Sequence, residues 1–160
     1  IYATKPTTIE KGYLSDKPGF HGELNAVAQK FKLKIVKNGQ TIGYLMMEQS
    51  GIYNHYAKIG EKGDDFQIQS DGTGDVIAIQ SGISKGYFLS VEPRGWVCSA
   101  RLDLSPYWTV DNKSSSTFQL KTKGKDVVQL PISADKIKKG EWTYVWPGKG
   151  EAIEFQKEPV

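Results

Sequence analysis

Beginning at Phe31, apolar and polar residues change places at almost every step, and glycine interrupts the pattern before any apolar run grows long. Phe31, Leu33 and Ile35 alternate with Lys32 and Lys34. A strand sends successive side chains to opposite faces, so a two-residue period marks half-buried strands rather than amphipathic helix. Seventeen glycines punctuate the chain, and glycine adopts the positive φ that tight turns demand. The alternation predicts about twelve short strands, around 31–35, 42–47, 53–59, 66–68, 76–79, 87–91, 96–100, 108–110, 118–120, 127–132, 142–146 and 153–155. Only 23–30 carries an apolar stripe at helical spacing, and so short a piece makes a helical turn at most. The fold class is all-β.

Landmarks recur along these strands. Gly43-Tyr44-Leu45 returns as Gly86-Tyr87-Phe88, Phe66-Gln67-Ile68 returns as Trp108-Thr109-Val110, and Leu33, Ile77 and Leu120 stand at nearly equal intervals. They define three units of four strands at about 31–70, 72–112 and 116–158, the first two closed by an aromatic-x-aliphatic strand and the third by the strand of Phe155. This organisation resembles the β-trefoil superfamily, which includes ricin-B-type lectins and plant and fungal protease inhibitors. The resemblance covers residues 31–158 and rests on spacing; it implies a β-trefoil-like barrel. The third unit departs from it, with Val127-Val128-Gln129-Leu130 where a tyrosine-bearing element is expected. The glutamine-x-tryptophan of ricin-type lectins is missing, so their sugar site does not carry over. A competing register matches Phe31-Lys32-Leu33-Lys34, Phe66-Gln67-Ile68-Gln69 and Phe118-Gln119-Leu120-Lys121 at unequal spacings. That pattern suits the hairpins of a β-sandwich or jelly roll, the rival architecture.

At 160 residues a chain buries roughly two thirds of its unfolded surface in one domain and needs no staple. Residues 1–29, with Pro6, Pro18, Gly12, Gly19 and Gly22 and few apolar side chains, read as an N-terminal extension packing on a single all-β domain at 30–160. The net charge of +3 is dispersed, and the densest basic stretches, 30–34 and 136–139, alternate with apolar residues or adjoin glycine. Such stretches are ordinarily the wet face of a strand or turn, so no nucleic-acid partner is expected. No apolar run is long enough to span a membrane. The start, Ile1-Tyr2-Ala3, reads as a processed or trimmed end compatible with secretion, and Asn112-Lys113-Ser114 is a glycosylation sequon. The single Cys98 permits no intramolecular disulfide, and its neighbours make it a small buried hydrophobe rather than a nucleophile.

Most enzyme chemistries lack their parts. Nucleophilic catalysis needs an oriented base beside the nucleophile, and only His21 and His55 are available, neither with a local nucleophile. Two histidines and one cysteine do not make a zinc site. Asp64-Asp65 and Asp71-Gly72-Thr73-Gly74-Asp75 match no calcium-loop spacing and read as turns. Glu92, Asp103 and Glu141 are carboxylates a glycosidase could use, but nothing in the sequence pairs them. The expectation is a protein without enzymatic activity, cofactor or metal.

Aromatic residues beside polar ones remain. Sugars stack an apolar C–H face on tryptophan or tyrosine and give their hydroxyls to carboxylates and amides. Trp96 after Arg94-Gly95 and Trp142 after Gly140-Glu141 sit at turn tips, and Tyr53-Asn54 is the equivalent pairing in the first unit. With Asp103 these form the expected ligand-binding set. The bland alternative is that all of them pack the barrel. The function read from the sequence is a secreted, lectin-like carbohydrate-binding module with a glycan ligand. The alternative is a protein ligand: a protease inhibitor or toxin-like domain acting through a proline-stiffened loop such as Ser105-Pro106-Tyr107 or Leu130-Pro131-Ile132.

Overall fold

A computed structural model describes residues 29–52, 54–70, 74–102, 108–123 and 128–160. The expected extension and the helical turn at 23–30 lie almost wholly outside these residues.

The first unit contains β1 (Phe31–Lys37), β2 (Gln40–Ser50), β3 (Asn54–Gly60) and β4 (Asp65–Ser70). The second contains β5 (Asp75–Ile79), β6 (Phe88–Val91), β7 (Val97–Ala100) and β8 (Thr109–Asn112), with one 3₁₀ turn at Gly82–Ser84. The third contains β9 (Phe118–Lys123), β10 (Gln129–Ala134), β11 (Trp146–Pro147), β12 (Glu151–Ala152) and β13 (Glu154–Pro159). Alternation decided the faces: Phe31, Leu33 and Ile35 are buried while Lys32 and Lys34 are only partly covered.

The pairings close a ring. Phe31 of β1 faces Phe66 of β4, β4 pairs with β5, and a two-way bridge joins Asp75 of β5 to Trp108, beside β8. β8 pairs with β9, Phe118 of β9 faces Phe155 of β13, and β13 returns to β1. The first and last strand of each unit thus form a six-membered barrel. A second closed circuit runs β1-β2-β3-β7-β6-β5-β4 and back to β1. A sandwich would leave two separate stacked sheets; instead every strand belongs to one continuous hydrogen-bonded set. The architecture is all-β and β-trefoil-like, and the sandwich rival is excluded. Its register fails for a definite reason: Phe31 and Phe66 are cross-strand partners within one unit, not equivalents in two.

The repeat landmarks fill the interior. Leu33, Ile77 and Leu120 have no exposed surface, and neither do the closing residues Phe66, Trp108 and Phe155. Full burial of such side chains contributes about 1.5–3 kcal/mol each. The Trp108 indole N–H donates to the Leu89 carbonyl at 3.1 Å, so the largest core residue carries no unpaired donor.

The middle strands of the units cap one end of the barrel. Tyr56 of β3 pairs with Cys98 of β7, the Val97 N–H donates to the Val145 carbonyl at 3.1 Å, and the Val145 N–H donates to the Ala57 carbonyl at 3.3 Å. Ala57, Val97 and Val145 are fully buried where the units converge. The expected strand at 142–146 is broken up because its backbone serves two neighbours: Thr143 accepts from Ile59 while Val145 accepts from Val97. Only Trp146 and Pro147 then remain to pair with β10.

Candidate binding face on the capped end

The residue before each converging aliphatic is aromatic: Tyr56, Trp96 and Tyr144. Alternation dictates the outcome, since burying Ala57, Val97 and Val145 turns the preceding side chain toward the outside of the cap. Gly95, with φ of 103°, makes the turn that delivers Trp96 to this place. The rings meet edge to face. Tyr56 and Tyr144 have centroids 6.3 Å apart, Trp96 and Tyr144 are at 6.0 Å, and Trp146 adds a fourth ring 4.7 Å from Trp96. T-shaped pairs of this kind add about 0.5–1.5 kcal/mol beyond their burial. Tyr56 is buried, whereas Trp96, Tyr144 and Trp146 keep part of their surface in solvent.

Two carboxylates frame the cluster from equivalent places. Glu48 of β2 lies directly across from Tyr56, and the Glu92 N–H donates to the Trp96 carbonyl at 2.9 Å. Each carboxylate serves an aromatic residue of another unit. The Tyr144 hydroxyl donates to Glu48 at 2.8 Å, and the Lys58 ammonium donates to the same carboxylate at 2.6 Å. The Tyr56 hydroxyl donates to Glu92 at 3.2 Å. Arg94 donates to the Tyr56 oxygen at 2.9 Å and to Glu92 at 3.0 Å, while the Trp96 backbone N–H reaches Glu92 at 3.3 Å.

These bonds set the charge state. The Lys58 hydrogen bond, followed by that from Tyr144, holds the Glu48 carboxyl below its usual range. For Glu92 the largest influence is burial, which raises it, but the bonds from Arg94, the Trp96 backbone and Tyr56 together outweigh burial and lower it. Tyr144 is raised, chiefly by its bond to Glu48. Both carboxylates are therefore ionised at neutral pH. Each carboxylate oxygen has two lone pairs, so acceptor capacity remains for ligand hydroxyls.

Of the expected set, Trp96 belongs to this cluster. Trp142 is 42% exposed and rests elsewhere, its Cζ3 atom 3.2 Å from where a Gly43 Cβ would stand. Asn54 is exposed at the start of β3, opposite Ser50. Tyr53 and Asp103 lie outside the described residues. Tyr56, Tyr144, Trp146 and Glu48 were missed, although the dipeptides Tyr56-Ala57, Trp96-Val97 and Tyr144-Val145 carried a usable signal.

The catalytic candidates find other employment. His55 Nδ1 lies 2.9 Å from Ser84 Oγ, a nucleophile-and-base pair in outline. Ser84 has no exposed surface, so its oxygen cannot meet a substrate, and the pair ties β3 to the 3₁₀ turn. Glu141 lies beside Lys136 and Lys138, whereas Glu92 is held by Arg94, Tyr56 and the Trp96 backbone. Asp64 accepts the Met47 N–H at 2.8 Å and Asp65 pairs with Lys32 at 2.9 Å. Among the described residues no three histidine, cysteine, aspartate or glutamate side chains gather as metal ligands. Among the described residues no helix is long and apolar enough to cross a membrane.

Comparison with known proteins places the fold. No protein-family model and no curated protein matches the chain. Lysenin in complex with phosphocholine superposes with a TM-score of 0.62 at 14% identity, over 82% of this chain and 44% of that one. The double-headed arrowhead protease inhibitor A, solved with two trypsins, gives 0.63 at 10% identity over 84% and 90%. A salivary protein from Culex quinquefasciatus gives 0.58 at 14% identity over 83% and 94%. The chain spans less than half the length of the lysenin chain. At these identities the likeness is one of fold.

Proposed function

We propose that the chain is a non-enzymatic, secreted binding module that recognises a glycan through the aromatic face of its cap. The observation carrying this reading is the coincidence of Trp96, Tyr144 and Trp146, partly open to solvent, with two ionised carboxylates at equivalent positions of two units. A pyranose stacks its C–H face on a tryptophan ring and donates its hydroxyls to Glu48 and Glu92. The rings and carboxylates hold one another in place, so little ordering entropy is lost on binding. Similarly folded proteins solved with phosphocholine and with trypsins support a binding rather than a catalytic role, and the salivary neighbour supports secretion.

Protease inhibition is the second reading, favoured by the arrowhead inhibitor, whose chain matches this one over nearly its whole length. The Leu130-Pro131-Ile132 segment does not serve it, because these residues lie inside β10, with Leu130 and Pro131 paired to β9 and Ile132 fully buried. Ser105-Pro106-Tyr107 lies outside the described residues.

A glycan array followed by calorimetric titration of wild type and Trp96→Ala tests the proposal. A glycan ligand should emerge whose affinity falls about tenfold or more in the variant, the scale of losing one stacked ring and its edge contacts. Folded protein that binds no glycan, yet inhibits trypsin or adheres to phosphocholine-bearing vesicles, would replace the glycan with that ligand.

A further inference from the structure

A second concave feature lies apart from the cap. The turn joining β1 to β2 faces the loop that follows β10 across an open trough of about 760 Å³, lined by Lys37, Asn38 and Gln40 on one side and by 135–139 on the other. An adjoining hollow of about 560 Å³ shares Lys37, Asn38, Ile137 and Glu151 with it and runs on to Ser114, Ser116 and Thr117.

One ion pair builds the floor. Lys37 Nζ donates to both oxygens of Glu151 at 3.0 Å and to the Ile137 carbonyl at 3.2 Å, and Glu151 accepts the Ile137 N–H at 3.1 Å. The charges of Lys37 and Glu151 thus satisfy each other and clamp the loop to the turn. The remaining cations are held less firmly. Lys136 and Lys138 approach Glu141 only to 4.0 and 3.5 Å, with side chains 69% and 73% exposed. Lys139 is exposed, and no carboxylate among the described residues comes within ion-pair range of it. Three ammonium groups within four residues, on a loop docked by its own salt bridge, make a positive edge opposed chiefly by Glu141 and Asp135.

We propose that this trough binds a segment of an acidic polysaccharide, with its sulfate or carboxylate groups on Lys136, Lys138 and Lys139 and its hydroxyls along Ser114, Ser116 and Thr117. An open groove suits a polymer segment better than an enclosed small molecule. No aromatic ring lines either hollow, so bases would find no stacking platform, and single-stranded nucleic acid is disfavoured. The site uses no residue of the aromatic cap and does not depend on the glycan reading there.

Calorimetric titration at low salt tests it with dextran sulfate, polygalacturonate, neutral dextran and single-stranded DNA. One or both acidic polysaccharides should bind, the two arms separating sulfate from carboxylate recognition, and neutral dextran should not. The double variant K138E/K139E should weaken binding by about tenfold or more, as should a rise to moderate ionic strength. Lys85→Glu, an exposed reversal elsewhere, and Trp96→Ala should leave it unchanged, with circular dichroism verifying that every variant is folded. Absence of binding by both acidic polymers, equal loss in Lys85→Glu, or equally tight binding of DNA would overturn the proposal.

Discussion

Cys98 illustrates how a single side chain takes its chemistry from its surroundings. It lies in β7 opposite Tyr56, and burial, followed by the charge of Glu92, pushes its thiol up to about 11. Thiolate is the reactive form, so alkylation of the folded protein at about pH 8 should run more than a hundredfold slower than that of a free thiol with the ordinary pKa of about 8.5. Denaturation should restore the ordinary rate, and fast labelling of native protein would contradict the geometry. Asp64 shows the opposite side of burial. Its carboxylate accepts the Met47 N–H and occupies the space where a Gly82 Cβ would lie, at a glycine whose φ is +79°. Burial raises Asp64 above the usual range, and the Met47 hydrogen bond only partly opposes this. A raised folded-state pKa means that this stabilising contribution is complete below the unfolded value and is lost as pH rises through the folded one. Asp64→Asn should therefore flatten that part of the stability profile. In denaturant titrations the variant should gain on wild type as pH rises through the carboxylate range; a growing deficit over that interval would contradict the assignment.

At the scale of elements, β1 and β9 were legible because each has one buried and one wetter face, the condition under which period two survives in sequence, whereas β5 ends in three consecutive buried residues, Ile77, Ala78 and Ile79, and was marked by its short aliphatic run alone. The register of the units was legible because Leu33, Ile77 and Leu120 fill one interior. Tyr56, Tyr144 and Trp146 were not found as site residues. Local pattern reports that a side chain leaves the core, not which other units' side chains it meets outside. In the first unit the ring that joins the cap is Tyr56, three residues beyond the Tyr53 that the sequence places beside Asn54. The candidate strand at 142–146 differs for another reason, because Thr143 and Val145 give their carbonyls to neighbouring units and so leave no continuous ladder. Close approach has its own marker in Gly43, where an added Cβ would stand 2.6 Å from the Gly60 carbonyl and against Trp142. Gly43→Ala should shift β2 from β3 and cost about 1–3 kcal/mol, measured by chemical denaturation; a loss smaller than a few tenths would mean that the strands are freer than this packing implies.

Over the whole molecule, three units that repeat imperfectly close a barrel with their outer strands and bring their middle strands together in a cap. The convergence at Ala57, Val97 and Val145 turns Tyr56, Trp96 and Tyr144 into neighbours although they lie far apart along the chain. The glycan proposal depends on that convergence, and the trough beside Lys136, Lys138 and Lys139 does not. The four tryptophans occupy separate places: Trp96 and Trp146 on the cap, Trp142 beside Gly43, and Trp108 in the core, its indole bonded to Leu89. Titrating ¹⁵N-labelled protein with the best glycan from the array, while following the four indole N–H resonances, tests the central claim most directly. The account predicts that the Trp96 and Trp146 signals move with saturation while that of Trp108 stays in place. Saturable glycan binding with both cap signals unmoved would contradict it.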